Sequence, residues 1–454
     1  MKAKKMALTS DKYLTETLVS EAEQPYEVPD NWIWVRLGNI TTINPPKIPN
    51  EKLPKMVSFV PMAAVSDVSG VIVDAQERPS SVVSKGYTEF IENDIIFAKI
   101  TPCMENGKVA IAKNLINNVG FGSTEFYVFR TQNCLLSNLL YHLLRAEWFR
   151  DEAKRNMAGA VGQQRVKKGF LVSYAFPLPP LPEQHRIVER IESLFEKLDH
   201  AKELTQSVLD SLKTRKAAIL HKAFTGELTA KWREENGVGM ESWEEKYFSD
   251  AAIIKSNLVN PKDYPEQPHI APDNIEKRTG VLLDYNTISK DGVTSGKHRF
   301  FSGQILYSKI RPYLSKVVIV SFDGLCSADM YPIEAKGDNK YLWYYMLSDD
   351  FLEQTSNAGS RSLLPKINQK ELSALTVPIP SITEQREIVH ILDSLFEKEQ
   401  RARGLCDVIE KINLMKKAIL ARAFRGELGT NDPGEENALG LLMDKSEREI
   451  SSLL

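Results

Sequence analysis

The chain has 454 residues, 42% hydrophobic and 26% charged, with a formal net charge of −2. That composition excludes a disordered or fibrous protein, and the length allows roughly three domains or two halves, each with its own core. The near-zero charge excludes a uniformly cationic coat but not local basic patches.

No apolar run approaches the roughly 18 residues that span a bilayer. Met1-Lys2-Ala3-Lys4-Lys5 has no apolar stretch of signal-peptide length behind it, so a cytoplasmic location is expected and no membrane. Cys103, Cys134, Cys326 and Cys406 are scattered without a Cys-x-x-Cys pair, so reduced thiols and no metal site are expected.

Residues 1–25 are polar and read as a loosely attached arm or a short helix. A mixed α and β module is expected over 26–176, from the β-like runs Val57–Val60, Val71–Val73, Ile95–Phe97, Val109–Ala112 and Phe126–Phe129. A helix should follow over Leu135–Lys154, with Leu136, Leu139, Leu140, Leu143 and Leu144 on one side. The Pro-rich run Pro177–Pro182 cannot be helical but can start a helix, and a long helix is expected within 177–230. A second module over 240–376 repeats the order, with strands around Gln304–Tyr307 and Val317–Val320 and a helix from about Lys340 to Gln354. Pro378-Ile379-Pro380 introduces a second long helix within 377–430, and 431–454 is a tail.

The second half therefore copies the first. Glu183-Gln184 recurs as Glu384-Gln385, Leu194-Phe195-Glu196-Lys197 as Leu395-Phe396-Glu397-Lys398, and Ala223-Phe224-x-Gly226-Glu227-Leu228 as Ala423-Phe424-x-Gly426-Glu427-Leu428. The match extends upstream. Lys99-Ile100-x-Pro102 aligns with Lys309-Ile310-x-Pro312, and Ser123, Glu125 and Tyr127 align with Ser327, Asp329 and Tyr331. Collinear matches at a slowly drifting offset mark a tandem duplication.

Glu183 to Phe224 would form a helix of about 63 Å at 1.5 Å per residue. Its seam positions alternate four and three apart, through Ile187, Ile191, Leu194, Leu198, Ala201, Thr205, Val208, Leu212, Arg215 and Ile219, most of them apolar, with Phe224 beyond. Ile388, Leu392, Leu395, Glu399, Ala402, Leu405, Val408, Ile412, Met415 and Ile419 repeat the pattern, with Phe424 beyond. Such seams predict an antiparallel coiled coil between the two helices. The expected fold is thus α+β, a duplicated α/β domain with each copy followed by a long helix.

No motif supports catalysis. Asn44-Pro45-Pro46-Lys47 approaches the adenine-methyltransferase loop, but lysine cannot supply the flat aromatic face that stacks on a flipped base. Gly120-Phe121-Gly122 lacks the third glycine of a cofactor turn. Gly292–Lys297 has three residues between its glycines and His298 where Ser or Thr must reach magnesium, so it reads as a turn. Glu152-Ala153-Lys154 and Glu334-Ala335-Lys336 have a nuclease-like form but no partner carboxylate in view, and the seven histidines contain no ligand pair. Basic clusters do exist, at Arg165-Val166-Lys167-Lys168 and at Lys297-His298-Arg299 in a Gly-rich turn.

The duplication, the Pro179-Pro180-Leu181-Pro182-Glu183-Gln184 entry with Ile187-Val188, and the Ala-Phe-x-Gly-Glu-Leu ends resemble the specificity subunit of type I restriction-modification systems. So does Val28-Pro29-x-x-Trp32-x-Trp34-x-x-Leu37-Gly38, although the second half keeps only Trp243 of it. The resemblance implies a non-catalytic reader of double-stranded DNA with a bipartite, asymmetric target. It implies helices that dock two modification subunits, using the seam residues above, with restriction subunits joining later. S-adenosylmethionine, ATP and magnesium would sit on those partners, with no cofactor on this chain. Candidate DNA contacts are Lys99, Gln163, Gln164, Arg165, Lys309, Arg311, Arg361 and Lys366. A coiled-coil scaffold with peptide-binding modules is the alternative.

Overall fold

The computed structural model describes residues 14–160, 162–358, 365–401 and 404–443. In chain order the first half contains strands β1 (Ile33–Arg36), β2 (Thr41–Ile43), β3 (Met56–Val60), β4 (Gln76–Pro79), β5 (Thr88–Ile91), β6 (Ile95–Ala98), β7 (Val109–Ile111), β8 (Val119–Gly122) and β9 (Phe126–Thr131). Helices α1 (Ser137–Arg145) and α2 (Glu147–Arg155) follow, then β10 (Met157–Ala158), β11 (Arg165–Val166), β12 (Ala175–Leu178) and the 44-residue helix α3 (Leu181–Phe224).

The second half contains β13 (Glu244–Tyr247), β14 (Ala252–Ile254), β15 (Leu258–Val259), β16 (Pro268–Ile270), β17 (Asn286–Thr287), β18 (Lys297–Phe300), β19 (Ile305–Ser308), β20 (Val317–Ile319), β21 (Gly324–Cys326) and β22 (Met330–Ala335). Helices α4 (Asn339–Met346) and α5 (Asp349–Ala358), strand β23 (Thr376–Ile379), and helices α6 (Ile382–Arg401) and α7 (Gly404–Phe424) complete it.

The duplication is visible strand by strand. One four-stranded sheet runs β2-β9-β6-β7 in the first half and β14-β22-β19-β20 in the second. The other runs β4-β3-β8-β5 and recurs as β17-β16-β21-β18, with β15 added at the edge. In both, the central pair is parallel, β3 with β8 and β16 with β21. Even the close fits recur. A Cβ on Gly120 would lie 2.3 Å from the Phe90 ring, and one on Gly324 would lie 2.6 Å from the Phe300 ring, so an aromatic side chain passes over bare backbone in each sheet.

The chain divides into two units by contact. Unit 1 comprises 1–203 with 408–454, and unit 2 comprises 204–407. In unit 1 the buried core joins Ile95, Phe97, Phe129, Leu143 and Phe149 of the domain to Ile187 and Ile191 of α3 and to Leu420, Ala423 and Phe424 of α7. In unit 2, Ile305, Tyr307, Tyr341 and Phe351 join Ile388 and Leu392 of α6 and Leu220, Ala223 and Phe224 of α3. Each unit thus packs a domain on the start of its own following helix and on the end of the other long helix.

Within each unit the two helical stretches run antiparallel. In unit 1, Thr430 meets Glu183 while Lys416 meets Asp199 at 2.5 Å and lies 4.9 Å from the Phe195 ring centroid. In unit 2, Thr229 meets Glu384 and Lys216 lies 5.3 Å from the Phe396 ring.

The expected seam is buried only in part. Ile187, Ile191, Ile388, Leu392, Ile412, Phe224 and Phe424 are buried; Leu194, Leu198, Leu212, Ile219, Leu395, Val408 and Ile419 are partly so. Val208 is 47% exposed, a departure from the heptad reading. A straight helix drifts about 20° per heptad from a 3.5-residue repeat, so three heptads after Ile187 the covered stripe passes through Thr205, Leu209 and Leu212 and misses Val208.

Several local expectations are also corrected. Leu135–Lys154 is two helices, because Ala146 is extended (ψ 136°) between α1 and α2; Lys340–Gln354 likewise falls on α4 and α5. Val71–Val73 makes only the bridge from Ile72 to Val65, while Gly120-Phe121-Gly122, unassigned from the sequence, lies in β8. Lys297-His298-Arg299 is strand, and Lys297 is 5% exposed with its ammonium on Ser295. The Pro-rich entries begin as strands: β12 pairs with β1 and β23 with β13, closing each domain where it opened. Pro177 and Pro378 fit because these sheets have only two strands, so a missing N–H can face outward. From residue 14 the N-terminal segment is packed, with Leu18 bridging Val35 and Val19 donating its N–H to the Trp34 carbonyl.

Candidate nucleic-acid interface

In unit 1 the chain leaves β6 at Lys99 and is at once gripped from two sides. The Lys99 N–H donates to the Glu125 carbonyl at 2.9 Å, and its carbonyl accepts from the Val166 N–H at 2.9 Å. Ile100 bridges Arg165, and the Thr101 N–H donates to the Gln164 carbonyl at 3.0 Å. Backbone pairing alone therefore brings Lys99 to Gln163, Gln164 and Arg165, although more than 60 positions separate it from them.

Their side chains form one charged group. The Lys99 ammonium donates to the Thr124 carbonyl at 2.8 Å and lies 5.1 Å from the Tyr127 ring centroid. The Arg165 fork donates to both Glu125 oxygens, at 2.9 and 2.8 Å. Those hydrogen bonds hold the Glu125 carboxyl below its usual range, helped by the Arg165 and Lys99 charges and opposed by partial burial. Gln163 is exposed, and its carbonyl accepts from Arg165 at 3.1 Å.

Unit 2 builds the same group from different residues. The Lys309 N–H donates to the Asp329 carbonyl at 3.0 Å, the Ile367 N–H donates to the Lys309 carbonyl at 2.9 Å, and Ile310 bridges Lys366. Lys309 lies 5.2 Å from the Tyr331 ring, and Lys366 pairs with Asp329 at 3.2 Å. Arg311 is exposed in a left-handed conformation (φ 49°), its N–H bound to the Pro365 carbonyl. Arg361 lies outside the described residues.

The supporting turn is shared too. Ser123 Oγ accepts from the Glu125 N–H and Ser327 Oγ from the Asp329 N–H, both at 3.2 Å. The sequence singles out the cations but not Glu125, Tyr127, Asp329 and Tyr331, which the structure places against them. The signal was present, since these residues had already aligned across the repeat.

The sequence motifs that approached catalysis have structural work. The Asn44 carboxamide oxygen accepts from the Val128 N–H at 3.1 Å, and the Asn44 N–H returns a bond to the Val128 carbonyl. Gly292 ends a helical turn with φ 61°. Among the described residues no group of three or more His, Cys, Asp or Glu side chains is arranged for a metal ion, and no helix is long and apolar enough to cross a membrane.

An open groove along α3, about 600 Å³, is lined by His185, Val188, Glu189, Glu192, Ser193 and Glu196. Its carboxylates repel phosphate, so it is chemically distinct from the two cationic groups.

The repeated domains match the family model of the type I restriction modification DNA specificity domain over residues 29–209 and again over 242–411. The EcoDI type I restriction enzyme specificity subunit of Escherichia coli is 39% identical over 313 residues, covering 63% of this chain and 70% of that one. The EcoEI specificity subunit, also of Escherichia coli, is 37% identical over 220 residues, covering 47% and 37%. Among solved structures, a chain of a type I R-M system studied for complex assembly and conformational transition superposes with a TM-score of 0.68 at 20% identity, covering 89% of this chain and all of that one. The HsdS subunit of Thermoanaerobacter tengcongensis gives 0.53 at 21% identity, covering 90% and 100%. At those identities the likeness is one of fold.

Proposed function

The chain belongs to the type I restriction-modification DNA specificity family, and from that premise we propose that it is the non-catalytic, DNA-reading subunit of such a system, with each unit reading one half of a bipartite target. The observation that carries this reading is the repeated cationic group: Lys99 and Arg165 in unit 1, Lys309 and Lys366 in unit 2, each on the same backbone frame. A phosphate backbone is the same at both half-sites, so the groups that register it can be alike. Base edges differ, so the groups that read them must diverge. Gln163, Gln164 and Arg311 stand beside the shared cations and differ between the copies, as base readers should.

The long helices supply the other half of the function. Two modification subunits dock on them, carrying the transfer of a methyl group from S-adenosylmethionine to adenine, and the acidic groove along α3 suits a protein partner better than DNA. Restriction subunits, with ATP and magnesium, complete the assembly. This chain supplies only the address.

The test is methylation mapping. The purified chain with S-adenosylmethionine should methylate nothing, and mixing it with its modification subunits should restore sequence-specific adenine methylation. Exchanging 26–176 for the corresponding domain of a relative should change one half of the target alone. Methylation by the chain by itself, or alteration of both halves together, would overturn the proposal.

A further inference from the structure

Each cationic group contains an acid that the DNA-reading role does not obviously need. Glu125 and Asp329 sit at equivalent points of the repeat, on equivalent Ser-initiated turns, and each holds the outer cation of its unit. The residue types have changed between the copies, from Glu–Arg to Asp–Lys, but the signs and the frame have not.

Fold stability does not account for this. Side-chain exposures are 25% and 43% for Glu125 and Arg165, and 42% and 52% for Asp329 and Lys366. Ion pairs this open to water add little to stability. The frame is already set by backbone bonds at Lys99 and Lys309. A carboxylate beside a phosphate-binding cation also repels DNA. A feature that weakens binding and barely stabilises the fold, yet occurs in both copies, needs a role in discrimination.

We propose, building on the DNA-reading role above, that Glu125 and Asp329 determine specificity by competing with DNA phosphate for Arg165 and Lys366. In the free protein each carboxylate keeps its cation occupied. A phosphate takes the cation only if it arrives at the right place and leaves the carboxylate tolerably solvated, which a correctly seated half-site does and a sliding contact does not. The inner cations, Lys99 and Lys309, lie on Tyr127 and Tyr331 and remain the general phosphate anchors. No bond is made or broken covalently; one ion pair is exchanged for another.

The experiment uses the full chain assembled with its modification subunits. Duplexes carry the mapped target, the target with either half-site scrambled, or no target. Glu125→Gln should raise affinity for target-free DNA several-fold and steepen its salt dependence by up to about one unit of slope, because one repulsive charge is removed. The target itself should gain less, so discrimination falls. The loss should be confined to the half-site read by unit 1, and Asp329→Asn should relax the other. Glu125→Asp, which keeps the charge, should restore most of the discrimination. Weaker binding in Glu125→Gln, or unchanged discrimination, or equal relaxation of both half-sites, would overturn the competition model. Failure of the unaltered complex to prefer its target would instead count against the DNA-reading role itself.

Discussion

The Thr430 hydroxyl donates to the Glu183 carboxylate at 2.7 Å, although 247 positions separate the two residues. The bond has a counterpart: the Thr229 hydroxyl donates to Glu384 at 2.6 Å. In each unit the start of one long helix is locked by the chain just beyond the end of the other. The adjacent glutamine locks the same helix to its own domain. Gln184 binds the Cys134 and Pro179 carbonyls and the Leu136 N–H, and Gln385 binds the Pro380 carbonyl and the Asp338 N–H. The repeated Glu-Gln pair is a two-way fastener.

The two locks should differ in strength. Glu384 is fully buried and pairs with Arg233, whose side chain is 8% exposed; neutralising one partner of such a pair costs about 3 kcal/mol or more. Glu183 is buried as well, but its partner Arg186 is 38% exposed and also held by Glu435, so Glu183→Gln should cost only about 1 to 2 kcal/mol. Chemical denaturation of the two variants should show the larger loss for Glu384→Gln, and the reverse order would refute the assignment.

Phe424 packs its ring 6.2 Å from Phe176 and 6.0 Å from Trp148, and its carbonyl accepts from Tyr26. Phe424→Ala should therefore open a cavity and destabilise unit 1 by about 3 to 5 kcal/mol. Calorimetry that shows an unchanged transition would mean this end of α7 does not hold the unit together.

Lys99→Ala and Lys309→Ala should each weaken DNA binding by the assembled complex at all sequences and lower the salt slope by about one. The methylated sequence should stay the same. An altered target would move these lysines from phosphate registration to base reading.

His142 gives unit 1 a sensitivity to acid. Burial, and secondarily the Arg145 charge, pushes it down to about 4. A histidine depressed in the fold is stabilising when neutral, so its contribution is complete above the unfolded value near 6.5 and is lost as pH falls towards 4. At about 1.4 kcal/mol per unit the loss approaches about 3 kcal/mol. Melting curves of His142→Gln should be flatter over that window than those of the unaltered chain; parallel curves would exclude His142 as the cause.

The sequence made some of this legible and hid the rest for definite reasons. The duplication, the long helices and the five cations seen in the two groups or beside them, Lys99, Arg165, Lys309, Arg311 and Lys366, could be read because they repeat or sit in local patterns. The entry of the second domain could not. Glu244–Tyr247 shares only the preceding Trp243 with its counterpart, yet β13, a helical turn and β14 follow one another as β1, a turn and β2 do. A two-stranded sheet closed by backbone bonds asks little of its side chains. The locks were hidden by distance along the chain, and Lys297-His298-Arg299 misled because three polar residues in a row look like a turn until a sheet supplies partners on both sides.

The make-up of the two units also sets an order of events during synthesis. Residues 204–407 are contiguous, so unit 2 has all its parts as soon as α6 leaves the ribosome. Unit 1 must wait. Its domain is made before unit 2, but Leu420, Phe424, Thr430, Ala438 and Leu442, which complete its core and lock, are made after it. That domain therefore stands with an apolar face uncovered while all of unit 2 is being built, and that interval is when it is most open to aggregation or to a chaperone.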